Sequence, residues 1–167
     1  SVSEEVMPVY NPLDNKQAST KSTIGVNSKA PSNDQIGYSI SYGDEVNIQR
    51  EKVAEIARPL KPNWRYRLIA YDATGEQAGL LSYAKGNTDN EAQTMTLKVG
   101  EPYTFVCYAQ YNMSANDGVI ALPTPSTTNI NTATINPSGG AAFMYWTETV
   151  TVHHGLKLNI NLRHKFH

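Results

Sequence analysis

Bulky residues alternate with small or polar residues along several stretches of this 167-residue chain. The alternation is clearest between Tyr103 and Tyr111, and again between Leu156 and Phe166, where a bulky side chain occupies every second position. A period of two places neighbouring side chains on opposite faces of an extended strand, whereas an amphipathic helix needs a period near 3.6. The pattern therefore predicts β-strands that bury at least one face.

The alternating stretches and the turn residues between them predict an all-β chain, folded as an antiparallel β-sandwich of about seven strands. The predicted strands are Ser22–Val26, Tyr38–Tyr42, Trp64–Tyr71, Gln77–Ala84, Thr94–Val99, Tyr103–Tyr111, Trp146–Val152 and Leu156–Phe166. Both faces of Tyr103–Tyr111 are apolar, which is typical of a central strand. Asp44–Ala57 fits a loose helical stripe or an irregular segment equally well, and this choice stays open.

Two polar segments contain no predicted strand: one lies at the start of the chain and the other between two strands. Residues 1–22 contain two prolines among Asn, Gln, Ser and Thr, and we expect a leader or tether there, followed by one sandwich domain over 23–167. Residues 112–140 form a long connection with Pro123, Pro125 and Pro137. Connections of this length are uncommon in compact domains and often functional, so this one is a candidate partner surface. It leads into an aromatic cluster at Phe143–Trp146.

The charge composition excludes several classes of partner. Charged residues make up 17% of the chain and the net charge is −1, so no basic surface is expected for nucleic acid or an anionic membrane. No apolar run approaches the roughly 20 residues of a membrane span. The first residues also lack the basic and apolar regions of a secretion signal, so an exported chain would have lost its signal already.

Few residues are candidates for chemistry. The single cysteine, Cys107, lies in an aromatic run without nearby positive charge, which favours a buried, unreactive thiol. Four histidines, His153, His154, His164 and His167, raise a metal hypothesis, but a strand period turns His164 and His167 to opposite sides. Carboxylates are scattered and no nucleophile or phosphate-binding motif is present. We therefore expect no catalytic, cofactor-binding or metal-binding residues; the binding residues are left open.

Three segments, taken in order, carry a resemblance to a known family. Residues 64–75 read WRYRLIAYDATG, residues 96–109 read TLKVGEPYTFVCYA, and residues 150–166 read VTVHHGLKLNINLRHKF. They are similar to the "YRLLVYD-x-x-G", "G-x-YTFVAYS-x-N" and "L-x-HKF" strands of the fimbrillin-like proteins of Bacteroidetes. The resemblance covers about residues 60–167.

The resemblance implies a transthyretin-like Greek-key sandwich, export as a lipoprotein to the outer membrane, and a place in a surface fimbria or pilus as stalk, tip or anchor subunit. Partners would be other fimbrial subunits or a C-terminal second domain, which the sequence given lacks. Stalk subunits of the family are trimmed at a basic residue near the start. Here the first arginine is Arg50, preceded by Lys16, Lys21 and Lys29, so strand exchange is an open question for this member.

Three hypotheses of function follow. The first is a fimbrial structural subunit that assembles by β-strand complementation, in which an added strand contributes main-chain hydrogen bonds. The second is a cell-surface adhesin for a host glycan or protein, with the 112–140 connection and Trp64, Tyr145 and Trp146 as contact candidates. The third, a hydrolase, would need convergent carboxylates in a cleft, and none is predicted.

Overall fold

A computed structural model describes residues 6–15, 32–43, 47–48, 51–52, 58–60, 64–84, 93–111, 122–137 and 143–165. These residues form twelve strands and one 3-10 helix, Pro12–Asp14. The strands are β1 Met7–Pro8, β2 Asn33–Tyr42, β3 Asn47–Ile48, β4 Glu51–Lys52, β5 Arg58–Pro59, β6 Trp64–Tyr71, β7 Gln77–Ala84, β8 Met95–Lys98, β9 Pro102–Tyr111, β10 Thr134–Ile135, β11 Phe143–Thr151 and β12 Lys157–His164.

Eight of these strands form one curled sheet in the order β5-β2-β12-β11-β9-β6-β7, with β8 paired to the first half of β2. All recorded ladders in this sheet are antiparallel except β12 with β2, which runs parallel from Lys157 opposite Gly37 to Leu162 opposite Tyr42. Two short pairs, β1 with β10 and β3 with β4, lie outside the main sheet.

The curl brings two layers face to face around the main core. The recorded pairing of β11 with β12 covers Met144 with His164 and Tyr145 with Arg163, and this short joint connects the layer β7-β6-β9-β11 to the layer β12-β2-β8. Both layers supply fully buried side chains to one cluster, among them Leu68, Phe105 and Cys107 from the first and Tyr38, Ile160 and Leu162 from the second. The arrangement is sandwich-like.

A second core lies on the outer side of the first layer. It consists of Val9, Ile69, Tyr71, Val106, Tyr108, Leu122, Ala133, Ile135, Phe143 and Tyr145. The cover over this face comes from residues 6–15, which we call the strap, and from residues 122–137. Burial of a single large aliphatic side chain contributes about 1.5–3 kcal/mol. The buried side chains of both segments therefore stabilise their position on the sheet.

The structure confirms the all-β prediction and the central position of Tyr103–Tyr111, because β9 lies between β6 and β11. It corrects the prediction of a wholly antiparallel sandwich, since β2 and β12 pair in parallel. A transthyretin-like Greek key stays a prediction. Where the choice was open, within Asp44–Ala57, the described residues form the short strands β3 and β4. The predicted strand Ser22–Val26 lies outside the described residues.

The described parts of both polar segments pack on the outer face of the first layer. Part of the predicted leader, the strap, lies on the sheet, because Val9 is fully buried and its N–H donates to the Ala133 carbonyl at 3.0 Å. The described part of the 112–140 connection buries Leu122, Ala133 and Ile135. A few apolar side chains, spaced to meet the outer face of the first layer, hold each polar segment there.

Candidate functional site

The described histidines lie on the surface and are not gathered at one point. His153 and His154 are exposed in the turn between β11 and β12, and His164 is exposed at the end of β12; His167 lies outside the described residues. In the part of the chain that the structure describes, no three His, Cys, Asp or Glu side chains are close enough to hold a metal ion. The nearest partner of His154 is Asp34, with Nδ1 3.3 Å from Oδ2.

Asp34 fixes that turn to the start of β2. Its Oδ2 accepts the Gly155 N–H at 2.8 Å, and its Oδ1 accepts the Gln35 N–H at 2.8 Å. These two backbone hydrogen bonds, with a smaller effect from His154, hold the pKa of the Asp34 carboxyl below its usual value. Gly155 has a φ of +79°, a conformation that glycine adopts without strain. The carboxylate therefore acts as a structural clasp.

Asp72 closes the turn between β6 and β7 in a similar way. Its Oδ1 accepts hydrogen bonds from the hydroxyl and the N–H of Thr74 and from the N–H of Glu76, at 2.7, 2.9 and 3.0 Å. The Thr74 hydroxyl is the largest cause of a lowered pKa at Asp72. An aspartate that bonds the backbone two residues ahead is a common turn device. This carboxylate, too, has a structural explanation.

Cys107 and two of the three candidate aromatic residues are buried. Burial raises the pKa of the Cys107 thiol well above its usual value, so the reactive thiolate is suppressed. Trp64 and Tyr145 are 8% and 6% exposed, and the Tyr145 hydroxyl donates to the Val9 carbonyl at 2.8 Å. Trp64 and Tyr145 therefore cannot stack on a sugar, whereas Trp146 stays partly exposed.

A cleft opens beside Trp146, where β11 and β12 diverge beyond their short joint. Its volume is about 330 Å³, and its lining includes Asp14, Trp146, Glu148, Asn161, Arg163 and Lys165. Lys165 already has partners there, because its Nζ donates to Asp14 Oδ2 at 2.6 Å and lies 4.8 Å from the centre of the Tyr145 ring. The cleft thus carries charges of both signs and is partly closed by an internal salt bridge.

At the other end of the sheet, β7 is the last strand in the described part of the chain, and we call its outer side the open edge. Strand β7 pairs with β6 from Arg65 opposite Ala84 to Tyr71 opposite Gln77. Among the described residues, no strand pairs with the opposite edge of β7. The 122–137 segment reaches only its beginning, where the Gln77 N–H donates to the Thr128 carbonyl at 2.9 Å. Backbone donors and acceptors along the rest of that edge point away from β6.

The residues of β7 do little to discourage a further strand. Natural edge strands are commonly blunted by lysine, proline, a bulge or a short length. Residues 77–84 include no charged residue and no proline, and the only irregularity is a bulge at the Gln77 end. Ala78, Leu80 and Ser82 are exposed, and Leu80 is 47% exposed. This charge-free edge is the candidate functional site.

Packing from below holds the open edge in place. Leu81 packs against the main core, and Gly79 lies over the Met95 side chain of β8. A Cβ at position 79 would stand 2.6 Å from Met95 Sδ, so glycine is what allows this close approach. The turn residues 72–75 predict a returning strand over Gln77–Ala84 correctly, but the sequence has no signal that places it at an edge.

Comparison with known proteins gives no relative. No family model matches the sequence, and neither a curated protein nor a solved structure matches it. Within the described residues, no helix has the length and hydrophobicity needed to cross a bilayer.

Proposed function

We propose that the chain is a structural subunit of a bacterial surface fimbria, and that it joins a neighbouring subunit by β-strand addition at the open edge of β7. The observation that carries this proposal is an eight-residue strand without charge or proline whose outer edge pairs with no described strand. In strand addition, main-chain hydrogen bonds supply affinity and alternate side chains supply selectivity.

The edge is suited to this task because the strand behind it is already paired and packed before any partner arrives. The β6 ladder fixes one side of β7, and Met95 and the main core fix it from below. A partner strand would therefore meet a preorganised row of donors and acceptors, and little conformational entropy would be lost on the receptor side. Such an edge is a hazard in a protein that must stay alone and an asset in one that must assemble.

The proposal includes export to the cell surface through a lipid anchor and no cofactor, as the resemblance to fimbrillin-like proteins implies. A structural rather than enzymatic function is supported by the surroundings of the reactive groups. Asp34 and Asp72 are occupied in turns, and Cys107 is buried with a raised pKa. Each of these groups has a structural explanation that requires no substrate.

Amide hydrogen exchange with synthetic peptides tests the proposal. The probes are fluorescent eight-residue peptides that alternate valine with threonine, and binding is followed by anisotropy. In the dilute chain alone, we expect the outward-pointing β7 amides between Gly79 and Ser82 to exchange faster than those of β9, and to become protected when peptide binds. Leu80→Lys should weaken peptide binding. If the β7 amides are already as protected as those of β9 at high dilution, the edge is capped and the proposal is wrong.

One observation favours a second candidate, an adhesin. Trp146 is partly exposed in a cleft that also offers Asn161 and Arg163, and an aromatic ring beside polar groups is a common way to hold a sugar. A glycan array with Trp146→Ala as the matched variant tests this. Glycan binding that disappears in Trp146→Ala would support the adhesin, and an array without any binding would exclude a glycan ligand under the conditions used.

A further inference from the structure

The outer edge of β7 is compatible with pairing to the same strand of a second copy. We infer that the strand added to β7 is the β7 strand of a second copy, antiparallel, with the two-fold axis at Leu81. This inference rests on the proposed function, because it names the occupant of the same edge. It makes the contact isologous, so that the same residues serve as donor and acceptor on both sides; the contact joins two copies, and a fimbria grows beyond that pair only through a second, different contact.

Charge is the first reason to choose a second copy. Like charges directly opposite each other destabilise a strand pair, and an uncharged strand avoids this when it meets its own copy. Residues 77–84 contain no Asp, Glu, Lys or Arg. Other strands of the sheet differ, since β8 exposes Lys98 and β12 exposes Lys157. A charged partner strand would find no opposite charge on β7, whereas a second copy meets no repulsion.

The bulge at the start of β7 limits the available register. Ala70 pairs with Gly79, and Tyr71 pairs with Gln77, so regular pairing on β7 begins at Gly79. The Gln77 N–H is already engaged by the Thr128 carbonyl. Directly opposite residues in an antiparallel pair share a face, so a two-fold axis must pass at a residue and not between two residues. Regular pairing with β6 covers residues 79–84, whose two central residues are Leu81 and Ser82, and we place the axis at Leu81, which sets Leu80 opposite Ser82.

This register covers the exposed leucine. Leu80 of one copy lies opposite Ser82 of the other, and the two Leu80 residues become diagonal neighbours, within reach of each other. Ser82 is known to share the outer face, because its Oγ accepts the Arg67 Nε–H at 3.0 Å. Leu80 is 47% exposed in the single chain, so pairing removes apolar surface from water on both copies. A small residue faces a large one at each outer position.

The contact is small, so the dimer is weak. One added strand on each side stays below the roughly 1,200 Å² that marks the lower end of specific interfaces. We expect monomers at low concentration and dimers as the concentration rises. Sedimentation velocity should show this shift, and Leu80→Lys should weaken dimerisation by roughly tenfold or more, because it removes an apolar contact and sets like charges near the axis.

Leu13→Lys is the matched control, because Leu13 is 90% exposed in the strap and takes no part in the edge. It should dimerise like the unchanged chain. Equal dimerisation of the unchanged chain, Leu80→Lys and Leu13→Lys would overturn the inference. So would an unchanged chain that stays monomeric at millimolar concentration.

Disulfide cross-linking tests the register. The natural Cys107 is fully buried, so an added cysteine is the accessible thiol in each variant. Leu80→Cys and Ser82→Cys, mixed and oxidised, should form a mixed dimer. Each variant alone should cross-link poorly, because diagonal neighbours stand about 7–8 Å apart, beyond the usual disulfide reach. Leu13→Cys is the control for random collision. Mixed dimers no more abundant than Leu13→Cys dimers would overturn the inference.

The two proposals fail in different ways. If alternating peptides bind the β7 edge while the chain itself neither dimerises nor cross-links, strand addition stands and the second copy is the wrong occupant. If β7 amides are protected in the dilute monomer, the edge is not open and both proposals fall.

Discussion

Two tyrosine hydroxyls in the second core have opposite surroundings. The Tyr145 hydroxyl donates to the Val9 carbonyl at 2.8 Å, whereas the Tyr71 hydroxyl is buried without a hydrogen-bond partner among the described residues. The lack of solvent around Tyr71 raises its pKa to about 12. The two rings belong to the same cluster, so the difference between them isolates one hydrogen bond.

Tyr145→Phe should therefore destabilise the fold by about 1–2 kcal/mol, because it leaves the Val9 carbonyl buried without its donor. Tyr71→Phe is the matched control and should be neutral or slightly stabilising, since it removes a hydroxyl that was buried at a cost. Urea denaturation followed by tyrosine and tryptophan fluorescence measures both. Equal losses of stability in the two variants would contradict the assignment of the hydrogen bond.

The Asp34 clasp predicts a pH dependence. Its pKa in the folded chain lies below the ordinary value of 3.8, so its contribution to stability is complete above pH 3.8 and is lost as the pH falls through the lower folded value. Asp34→Asn should lower the melting temperature at pH 6, and the gap to the unchanged chain should narrow below pH 3.8. A gap that stays constant down to pH 2 would count against the clasp.

At the residue scale, alternation predicts which side chains are buried but not what their polar atoms bond. The faces of β6 and β9 follow from the period of two, and Cys107 lies in the core as expected. The bond of Asp34 to Gly155 and that of Tyr145 to Val9 do not follow, because each partner lies more than a hundred positions away in the chain. No local pattern in the sequence identifies a hydrogen-bond partner so far along the chain.

At the scale of elements, β7 and β8 approach each other closely without pairing. The contact is between Gly79 and the buried Met95 side chain. Gly79→Ala should cost about 1–3 kcal/mol, because a new methyl group would overlap Met95 Sδ. In a Met95→Ala background, the same substitution should cost almost nothing, since the shorter side chain leaves room. Urea denaturation of the two single variants and the double variant measures this coupling.

Gly37→Ala provides the control for that cycle. Gly37 also lies in a strand, β2, and no atom lies within 4 Å of the position that its Cβ would take. We expect its substitution to be neutral or slightly stabilising in both backgrounds. If Gly79→Ala costs the same with and without the Met95 side chain, steric overlap is not the reason for glycine at position 79.

Strands with strong alternation were predictable as elements, and their partners were not. Strands β11 and β12 follow each other along the chain, yet they pair only where Met144 and Tyr145 meet His164 and Arg163, at the end away from their turn. Most of the pairing of β12 is with β2, which lies about 120 residues earlier. Strand β2 also begins earlier than predicted. Its first residues, Asn33, Asp34 and Gln35, are polar, and they form a strand because they pair with β8. Tertiary pairing decides here over local propensity.

At the scale of the whole molecule, the domain depends on its outer cover. Val9 is fully buried, whereas Val6, three residues earlier in the same strap, is 59% exposed. Val9→Asp should cost roughly 3 kcal/mol or more, because it places a charge in an apolar site. Val6→Asp should be nearly neutral. Urea denaturation and binding of a dye that reports exposed apolar surface would measure the difference.

A strap that is released by Val9→Asp would uncover Ile69, Val106 and Phe143 and would bind the dye more strongly than the Val6→Asp control. Dye binding and stability that are the same in the two variants would show that the strap contributes nothing to the second core. The cover could not be predicted from composition, because the apolar residues of the strap do not share one fate: Val9 is buried, whereas Val6 and Leu13 are exposed.

The order of strands in the sheet has a consequence for how the chain folds during synthesis. Strand β12 comes last among the described strands, yet it lies between β2 and β11 and so joins the two layers. The strap comes first, yet Tyr145 and Lys165 hold it, 136 and 151 positions away. Native closure must therefore wait until nearly all the described residues have been made. Distant contacts of this kind slow folding, and the growing chain would carry unpaired strands that need protection from aggregation until β12 arrives.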